Sequence, residues 1–422
     1  MKINNPFPSG CINQMLETVE IPEFIKIRQS LPNNSLEDND LILSIDEQIL
    51  PFLSAIKAND KIGITVGSRG IDRIDMVLAR VVYHIKRIGA IPYIIPCMGS
   101  HGINIEGRKR ILTGIGVTEE KIGCKIENHD EVTKIGETES GLEVYVDSFI
   151  LTCDKIIVFN RVKPHTAFHG PIESGLQKMI AVGMGKQKGA SICHKKGFYD
   201  ICDRIIEISD YVLKTQKIFM GIAVVENAYG KISQISIMKG DAIKKLEPEI
   251  LKHARDQMPS LPFHYSDILI VDEMGKNISG SGMDTNIIGR YPLNDIKGNF
   301  FSERLVCLSL SKASEGNAHG MGFADFIPLD FLNDVDFEHT FPNGLTNKTP
   351  APAKIPVVMP DKICAIKAAI QTCSNENKKD VKIVWIKNTH DIDEIYVTKS
   401  LINEIIRPFS IVEKNSIIKT GI

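Results

Sequence analysis

The densest group of side chains that could do chemistry lies between residues 160 and 194. Imidazoles transfer protons near neutral pH or bind metals, and lysines hold phosphate or form covalent links. The candidates of this kind are Lys163, His165, His169, Lys178 and His194. The apolar run 155–159 leads directly into this group and predicts a buried strand. A strand followed by this mixture of side chains predicts a cofactor site.

Two more candidates follow predicted strands nearer the start of the chain. Arg69 comes after a strand predicted at 61–66 and beside a helix predicted from about Ile71, and His101 lies in a glycine-flanked loop after a strand at 92–96. In open parallel sheets, ligands bind beyond the carboxyl ends of strands. An arginine there can clamp a carboxylate or phosphate. Two histidines there can act as acid and base on opposite faces of one substrate. A surface arginine and a turn-capping histidine are the alternatives.

Composition is that of an ordinary soluble protein, with 422 residues, 43% apolar and 24% charged residues and a net charge of −2. The chain has no excess of basic residues that would predict nucleic-acid binding. It also has no polybasic run or long apolar stretch that would predict membrane binding or a membrane span. The first residues lack the apolar core of a signal peptide, so we expect a cytoplasmic protein. Nine scattered cysteines without a Cys-x-x-Cys pair predict buried free thiols rather than disulfides, an iron–sulfur cluster or structural zinc.

The order of predicted elements indicates an α/β protein of two domains with parallel-rich sheets and an active-site cleft between them. Pro-Ser-Leu-Pro at 259–262 is typical of a linker. We therefore expect an N-terminal domain at 1–262 and a C-terminal domain at 263–422. The last 20 or so residues are a candidate for packing back on the first domain. Irregular loops are expected over 311–360, which is rich in Gly, Asn, Asp and Pro.

Several other residues carry weaker signals. The run from Gly183 to Gly189 only loosely resembles a phosphate loop and matches neither standard nucleotide fingerprint. A helix is predicted to begin at Pro171 and to carry Lys178. Loop carboxylates at 272, 273 and 284 could bind a hard cation, although such groups are usually solvated. Arg290 is a further candidate for binding an anionic group.

Taken together, these residues resemble the nickel-pincer-nucleotide lactate racemase family, most strongly between residues 61 and 194. Gly-Ser-Arg at 67–69, Gly-Ser-His at 99–101 and Val-Lys-Pro-His at 162–165 are similar to the motifs of the family's arginine and its two catalytic histidines. Lys178, with His194 sixteen residues later, is similar to the lysine that tethers the cofactor and the histidine that ligates nickel.

The resemblance implies a nickel-dependent racemase or epimerase of 2-hydroxy acids. His101 and His165 would exchange acid and base roles while hydride moves to and from the cofactor, and Arg69 would orient the substrate. The cofactor would be a pyridinium-3,5-bisthiocarboxylic acid mononucleotide that holds nickel, tethered to Lys178 and ligated by His194. Candidates for further cofactor contacts are Ser68, Lys186 and Lys188. Enzymes of cofactor biosynthesis would be the partners that load it.

Departures from the family pattern concern the substrate. The prototype has an aspartate shortly before its arginine, a proline after it and a basic residue after its first histidine, where this chain has Gly67-Ser68, Gly70 and Gly102. Arg290 stands in the stretch where the prototype has a Gln/Lys pair. A larger or more anionic 2-hydroxy acid, or a sugar acid, is therefore as good an expectation as lactate. Candidates for this altered substrate shell are His169, Glu173 and His319.

Two alternative functions stay open at this stage. The first is a non-catalytic protein that holds a nucleotide or metal on the same fold, which would have no use for a pair of proton-transferring histidines. The second is a nickel-free dehydratase or dehydrogenase. The lack of a Gly-x-Gly-x-x-Gly fingerprint after the first strand weakens the dehydrogenase version.

Overall fold

The computed structural model describes residues 6–102 and 104–416, with the backbone alone for 414–416. The strands are β1 (Phe24–Gln29), β2 (Lys61–Val66), β3 (Ile91–Pro96), β4 (Lys125–Ile126), β5 (Val132–Glu137), β6 (Glu143–Asp147), β7 (Lys155–Arg161), β8 (Ile218–Glu226), β9 (Ile232–Lys239), β10 (Tyr265–Val271), β11 (Phe301–Cys307), β12 (Phe326–Pro328), β13 (Val357–Met359), β14 (Ile383–Ile386), β15 (Glu394–Thr398) and β16 (Phe409–Ser416).

The helices are α1 (Cys11–Met15), α2 (Asp38–Leu53), α3 (Ile74–Arg87), α4 (Ile105–Gly114), α5 (Glu119–Ile122), α6 (Leu176–Lys178), α7 (Lys186–Cys193), α8 (Ile201–Thr215), α9 (Ile243–Gln257), α10 (Thr285–Ile288), α11 (Leu329–Asn333), α12 (Phe337–Thr346) and α13 (Lys362–Thr372). In the described ranges, every helix is too short or too polar to span a membrane. All nine cysteines are free thiols, and six of them are buried as predicted, whereas Cys11 is exposed and Cys124 and Cys202 are partly exposed.

The chain divides into two compact units, one of residues 32–258 and one of residues 1–31 together with 259–422. This division differs from the expected boundaries at one end, because the first 31 residues do not belong with the N-terminal domain. The reason is strand pairing: β1 lies antiparallel between β15 and β16. The last 20 or so residues are a candidate for packing on the first domain. The backbone of 409–416 instead pairs with β1.

The unit of residues 32–258 contains a six-stranded sheet in the order β4-β3-β2-β7-β8-β9. Its strands are parallel except β9, which runs antiparallel to β8. Chain connections from β2 go through β3 to β4 on one side and then to β7 on the other, so the strand order reverses between β2 and β7. Ligands bind at such a reversal point, beyond the carboxyl ends of the strands.

Helix α3 fixes the loop after β2 against this sheet. Its apolar residues recur at helical spacing, and seven side chains on this face are buried. The helix predicted from about Ile71 is thus confirmed, although the regular helix begins at Ile74. Asp72 therefore lies before the helix, where its carboxylate accepts the backbone N–H of Ile232 at 3.1 Å and pairs with Arg73. This contact ties the β2–α3 turn to β9.

The other unit contains an eight-stranded mixed sheet in the order β13-β12-β11-β10-β14-β15-β1-β16. Strands β10 to β14 are parallel, and β15, β1 and β16 add antiparallel pairs at one end. Helix α13 packs its Ala- and Ile-rich face on this sheet. The stretch 311–360 contains irregular loops, as expected, but it also forms β12, α11, α12 and β13. Two parallel-rich α/β sheets confirm the predicted fold class.

Candidate active site

Three of the predicted site residues follow three neighbouring strands. Arg69 follows β2, His101 follows β3 and His165 follows β7, and β2 lies between the other two. Because the three strands are parallel, their carboxyl ends lie along the same edge of the sheet. The sequence thus places an arginine between two histidines at the point where the strand order reverses.

Lys178 reaches the same edge from a tightly packed helical turn. Helix α6 ends at Lys178 and continues as a π-helical turn, Met179–Gly183. Such turns are rare and often occur at functional sites. A Cβ on Gly183 would lie 2.8 Å from the carbonyl oxygen of Cys97, and one on Gly67 would lie 3.2 Å from Cε of Met179. The two glycines therefore allow the turn to press against the loops that follow β2 and β3.

The Lys178 amine is the electrostatic centre of the cluster. Its pKa is lowered from 10.5 to about 8, mainly by burial and to a smaller extent by the positive charges of Lys163 and Arg69. The Lys178 charge in turn lowers the pKa of His101, His165 and His194. Nζ lies 5.3 Å from the ring centroid of Phe168. Lys178 is thus close enough to the three predicted histidines to lower the pKa of each.

The His165 ring packs beside two phenylalanine rings. Its ring centroid lies 4.4 Å from that of Phe168 and 6.1 Å from that of Phe198. Burial, followed by the charges of Lys178 and other cations, holds its pKa well below the usual value of 6.5. Nδ1 accepts a hydrogen bond from the backbone N–H of Ala167 at 3.0 Å. Since a backbone N–H can only donate, the neutral ring carries its proton on Nε2.

His194 approaches Phe198 from another direction. Its ring meets the Phe198 ring edge-on at a centroid distance of 5.7 Å. Burial lowers the pKa of His194 to about 4, with a further contribution from Lys178. Nδ1 is buried and has no hydrogen-bond partner among the described residues. His194 is therefore a neutral imidazole at pH 7, the form that can donate a lone pair to a metal.

His101 is held by a neighbouring hydroxyl. Its Nδ1 lies 2.7 Å from Oγ of Ser68, and either atom can donate because the imidazole has two tautomers. The side chain of His101 reaches solvent, but its pKa is still lowered. The main cause is partial desolvation by the surrounding protein, and the charges of Arg69 and Lys178 contribute less. Arg69, which is exposed, follows Ser68 directly in the same loop. Ser68, predicted to contact the cofactor, is thus seen as the partner of His101.

Three other predicted residues lie outside this cluster or are engaged elsewhere. Lys186 is buried and forms an ion pair with Asp147 at 2.5 Å, while Lys188 is exposed on the first turn of α7. Arg290 belongs to the other unit, where its guanidinium donates to the carbonyl oxygen of Phe323 at 2.6 Å and to Asp325 at 2.7 Å. These contacts favour structural roles for Lys186 and Arg290 over cofactor or substrate binding.

The three candidates for the altered substrate shell also lie in different environments. Glu173 is buried, and its carboxylate accepts the backbone N–H of His165 at 2.5 Å, so it holds the loop rather than facing a ligand. His169 is exposed and close enough to lower the pKa of His165. His319 is buried in the other unit, where burial lowers its pKa to about 4.

No three His, Cys, Asp or Glu side chains in residues 6–102 and 104–416 form a metal site by themselves. The weakly predicted cation site in the second unit is accounted for by other contacts. Asp272 accepts the indole N–H of Trp385 at 2.6 Å, and Asp284 accepts the backbone N–H of Asn286 at 2.9 Å. A metal beside His194 would therefore need most of its ligands from a bound cofactor.

Comparisons with known proteins bear on the fold and on one segment of the chain. The whole-chain fold is similar to the lactate racemase apoprotein from Thermoanaerobacterium thermosaccharolyticum, with a TM-score of 0.54 and 14% sequence identity over 87% of this chain and 98% of that one. No curated protein sequence matches the chain. Residues 50–200 match the family described as the lactate racemase N-terminal domain, and this range contains Arg69, His101, His165, Lys178 and His194. By this segment, the chain is similar to the lactate racemase N-terminal domain family.

Proposed function

We propose that the chain is a racemase or epimerase of a 2-hydroxy acid that uses a nickel-pincer nucleotide tethered to Lys178. The observation that carries the proposal is the order of the strands. Arg69 follows the strand that lies between those of His101 and His165, and the positive charge of Lys178 lowers the pKa of both histidines. An anion clamp between two imidazoles suits a reaction in which a proton leaves from one side and returns from the other.

The residues of the cluster fit such a cofactor. An amine with a pKa of about 8 is partly neutral near pH 7, as a nucleophile that forms a covalent link must be. His194 offers a neutral imidazole without a hydrogen bond at Nδ1, and the surrounding residues supply no complete metal site. A group that brings its own sulfur ligands and needs one histidine and one lysine matches this donor set. When bound, the cofactor would accept and return the substrate hydride.

The chain itself would move the protons. Both His101 and His165 have lowered pKa values, so both are neutral at pH 7 and the cluster avoids accumulating positive charge. His165 presents an N–H at Nε2, because its Nδ1 is occupied by Ala167. His101 can present a free Nε2 when its Nδ1 donates to Ser68. In this state His101 is the base that takes the hydroxyl proton and His165 is a hydrogen-bond donor. Arg69 would hold the carboxylate.

The proposal is tested by producing the protein together with the enzymes of cofactor biosynthesis and measuring its intact mass. We expect a covalent adduct that maps to Lys178 and is lost in Lys178→Ala. Chiral chromatography of a panel of 2-hydroxy and sugar acids should then show interconversion, which His101→Ala and His165→Ala abolish without loss of nickel.

Each alternative function gives a different result in this experiment. An adduct without turnover of any substrate would favour a carrier of the nucleotide. Turnover without an adduct or nickel would favour a nickel-free enzyme, and either result would overturn the proposal. Interconversion of acids larger than lactate, without activity on lactate, would indicate that the altered residues beside Arg69 and His101 change the substrate preference.

A further inference from the structure

Helix α9 lies outside the chemically reactive cluster but contacts two of its segments through ionisable side chains. Its apolar residues Ile243, Ile250 and Leu251 are buried and attach the helix to the domain. Glu247 and Arg255 lie eight residues apart, about 12 Å along the axis at 1.5 Å per residue. Each of these side chains contacts a segment that carries a different reactive residue.

Glu247 holds the turn that carries Lys178. Its side chain is 1% exposed, and Oε2 accepts the backbone N–H of Gln177 at 2.9 Å. The first N–H groups of a helix have no partner within it, so this carboxylate satisfies a group that would otherwise be left unpaired. Oε1 packs against Gly175, where an added Cβ would lie 1.9 Å away. The glycine is therefore required for the approach, and the residue after Gln177 is Lys178.

Arg255 holds the loop of His165 through a second carboxylate. Its guanidinium donates to Oε1 of Glu173 at 2.6 Å and to the carbonyl oxygen of Gly170 at 3.0 Å. Glu173 is 1% exposed, and its other oxygen accepts the backbone N–H of His165. A buried carboxylate needs such a partner, because an unpaired charge in the interior is costly. Arg255 thus fixes Glu173, and Glu173 fixes the backbone at His165.

We propose that Glu247 and Arg255 are positioning residues through which α9 sets the place of the Lys178 amine and of the His165 imidazole. The contacts themselves do not depend on the reaction, but their importance for turnover rests on the proposed function. One rigid helix that holds both segments keeps the amine and the imidazole at a fixed separation. Reactive groups displaced by 1 Å can lose about 100-fold in rate, so such a brace has a measurable effect.

The first test measures Lys178 without cofactor, as the rate of reductive methylation at a fixed pH by peptide mass spectrometry. Glu247→Ala should change this rate by about ten-fold, and Glu247→Gln, which keeps an acceptor oxygen, by about three-fold. The exposed Glu249 on the same helix provides the control Glu249→Gln, which should leave the rate unchanged. Wild-type rates in both Glu247 variants would overturn this half of the proposal.

The second test observes His165 by NMR of its ring nitrogens. Arg255→Met should shift the His165 signals while Lys178 methylation stays at the wild-type rate, and Arg255→Lys should shift them less. Lys252→Met, an exposed change on the same helix, is the matched control. Unchanged His165 signals in both folded Arg255 variants would overturn the second half.

The two readouts also separate this inference from the function. In loaded enzyme, the Glu247 and Arg255 variants should lower kcat with little change in KM. If no 2-hydroxy acid is turned over at all, the proposed function fails, while the methylation rates and ring signals still decide the positioning roles.

Discussion

Oγ of Ser68 lies 2.7 Å from Nδ1 of His101, which joins the loops after two neighbouring strands. The contact orients the ring and, when Nδ1 donates, leaves Nε2 free to act as a base. Ser68→Ala should therefore lower kcat about ten-fold through the loss of one hydrogen bond, with KM nearly unchanged. Steady-state kinetics of loaded enzyme measures this effect. Ser68→Thr should retain most of the activity, and the exposed Ser100→Ala should have none of the effect.

The hydrogen bond from Ala167 predicts the tautomer of His165. A ring whose Nδ1 accepts a backbone N–H must carry its single proton on Nε2. Two-bond nitrogen–proton correlation spectra at pH 7 should show this tautomer, with the signals assigned by their loss in His165→Gln. A proton on Nδ1, or an imidazolium at pH 7, would contradict the arrangement.

The lowered pKa of Lys178 predicts how its reactivity depends on pH. Burial lowers this pKa from 10.5 to about 8, so the reactive neutral amine forms as the pH rises through about 8 rather than 10.5. Methylation of Lys178 should therefore reach half its maximal rate near pH 8, measured peptide by peptide. Lys188, which is exposed on α7, serves as the internal reference. A Lys178 profile that coincides with an ordinary lysine would count against the buried amine.

Lys186 should matter for stability rather than cofactor binding. Lys186 forms an ion pair with the fully buried Asp147, so removal of the lysine would leave an uncompensated charge in the interior. Lys186→Met should therefore lower the free energy of unfolding by about 3–5 kcal/mol, and the double change with Asp147→Asn should recover part of the loss. Urea denaturation measures both, with Lys188→Met as control. An unchanged stability combined with lost cofactor loading would restore the binding role first expected for Lys186.

The sequence was informative where the signal is local. Strand β2 has its predicted bounds, and the loops with Arg69, His101 and His165 follow their strands as expected, because an apolar run and the glycines after it are adjacent in the chain. The helix predicted from Pro171 instead begins at Leu176, since residues 171–175 carry Glu173 inward to the loop of His165.

Contacts between distant residues were not predicted. Asp147 lies 39 residues before Lys186, so the sequence around the lysine suggested only a loose phosphate loop. Glu247 left a signal that could have been used: it falls on the buried face of α9, at helical spacing between Ile243 and Leu251. A charged residue in an otherwise apolar stripe indicates a buried partner.

The pairing of β1 with β15 has a consequence for synthesis. Some 365 residues separate Gln29 from Glu394, and residues 32–258 form the other unit in between. At about 5–20 residues per second, the ribosome needs roughly 20–70 s to deliver the partner strand. During that time β1 emerges and waits, while all of residues 32–258 become available for folding. A nascent chain stalled near residue 300 should thus protect Lys178 from proteolysis while its first 31 residues remain open to cleavage.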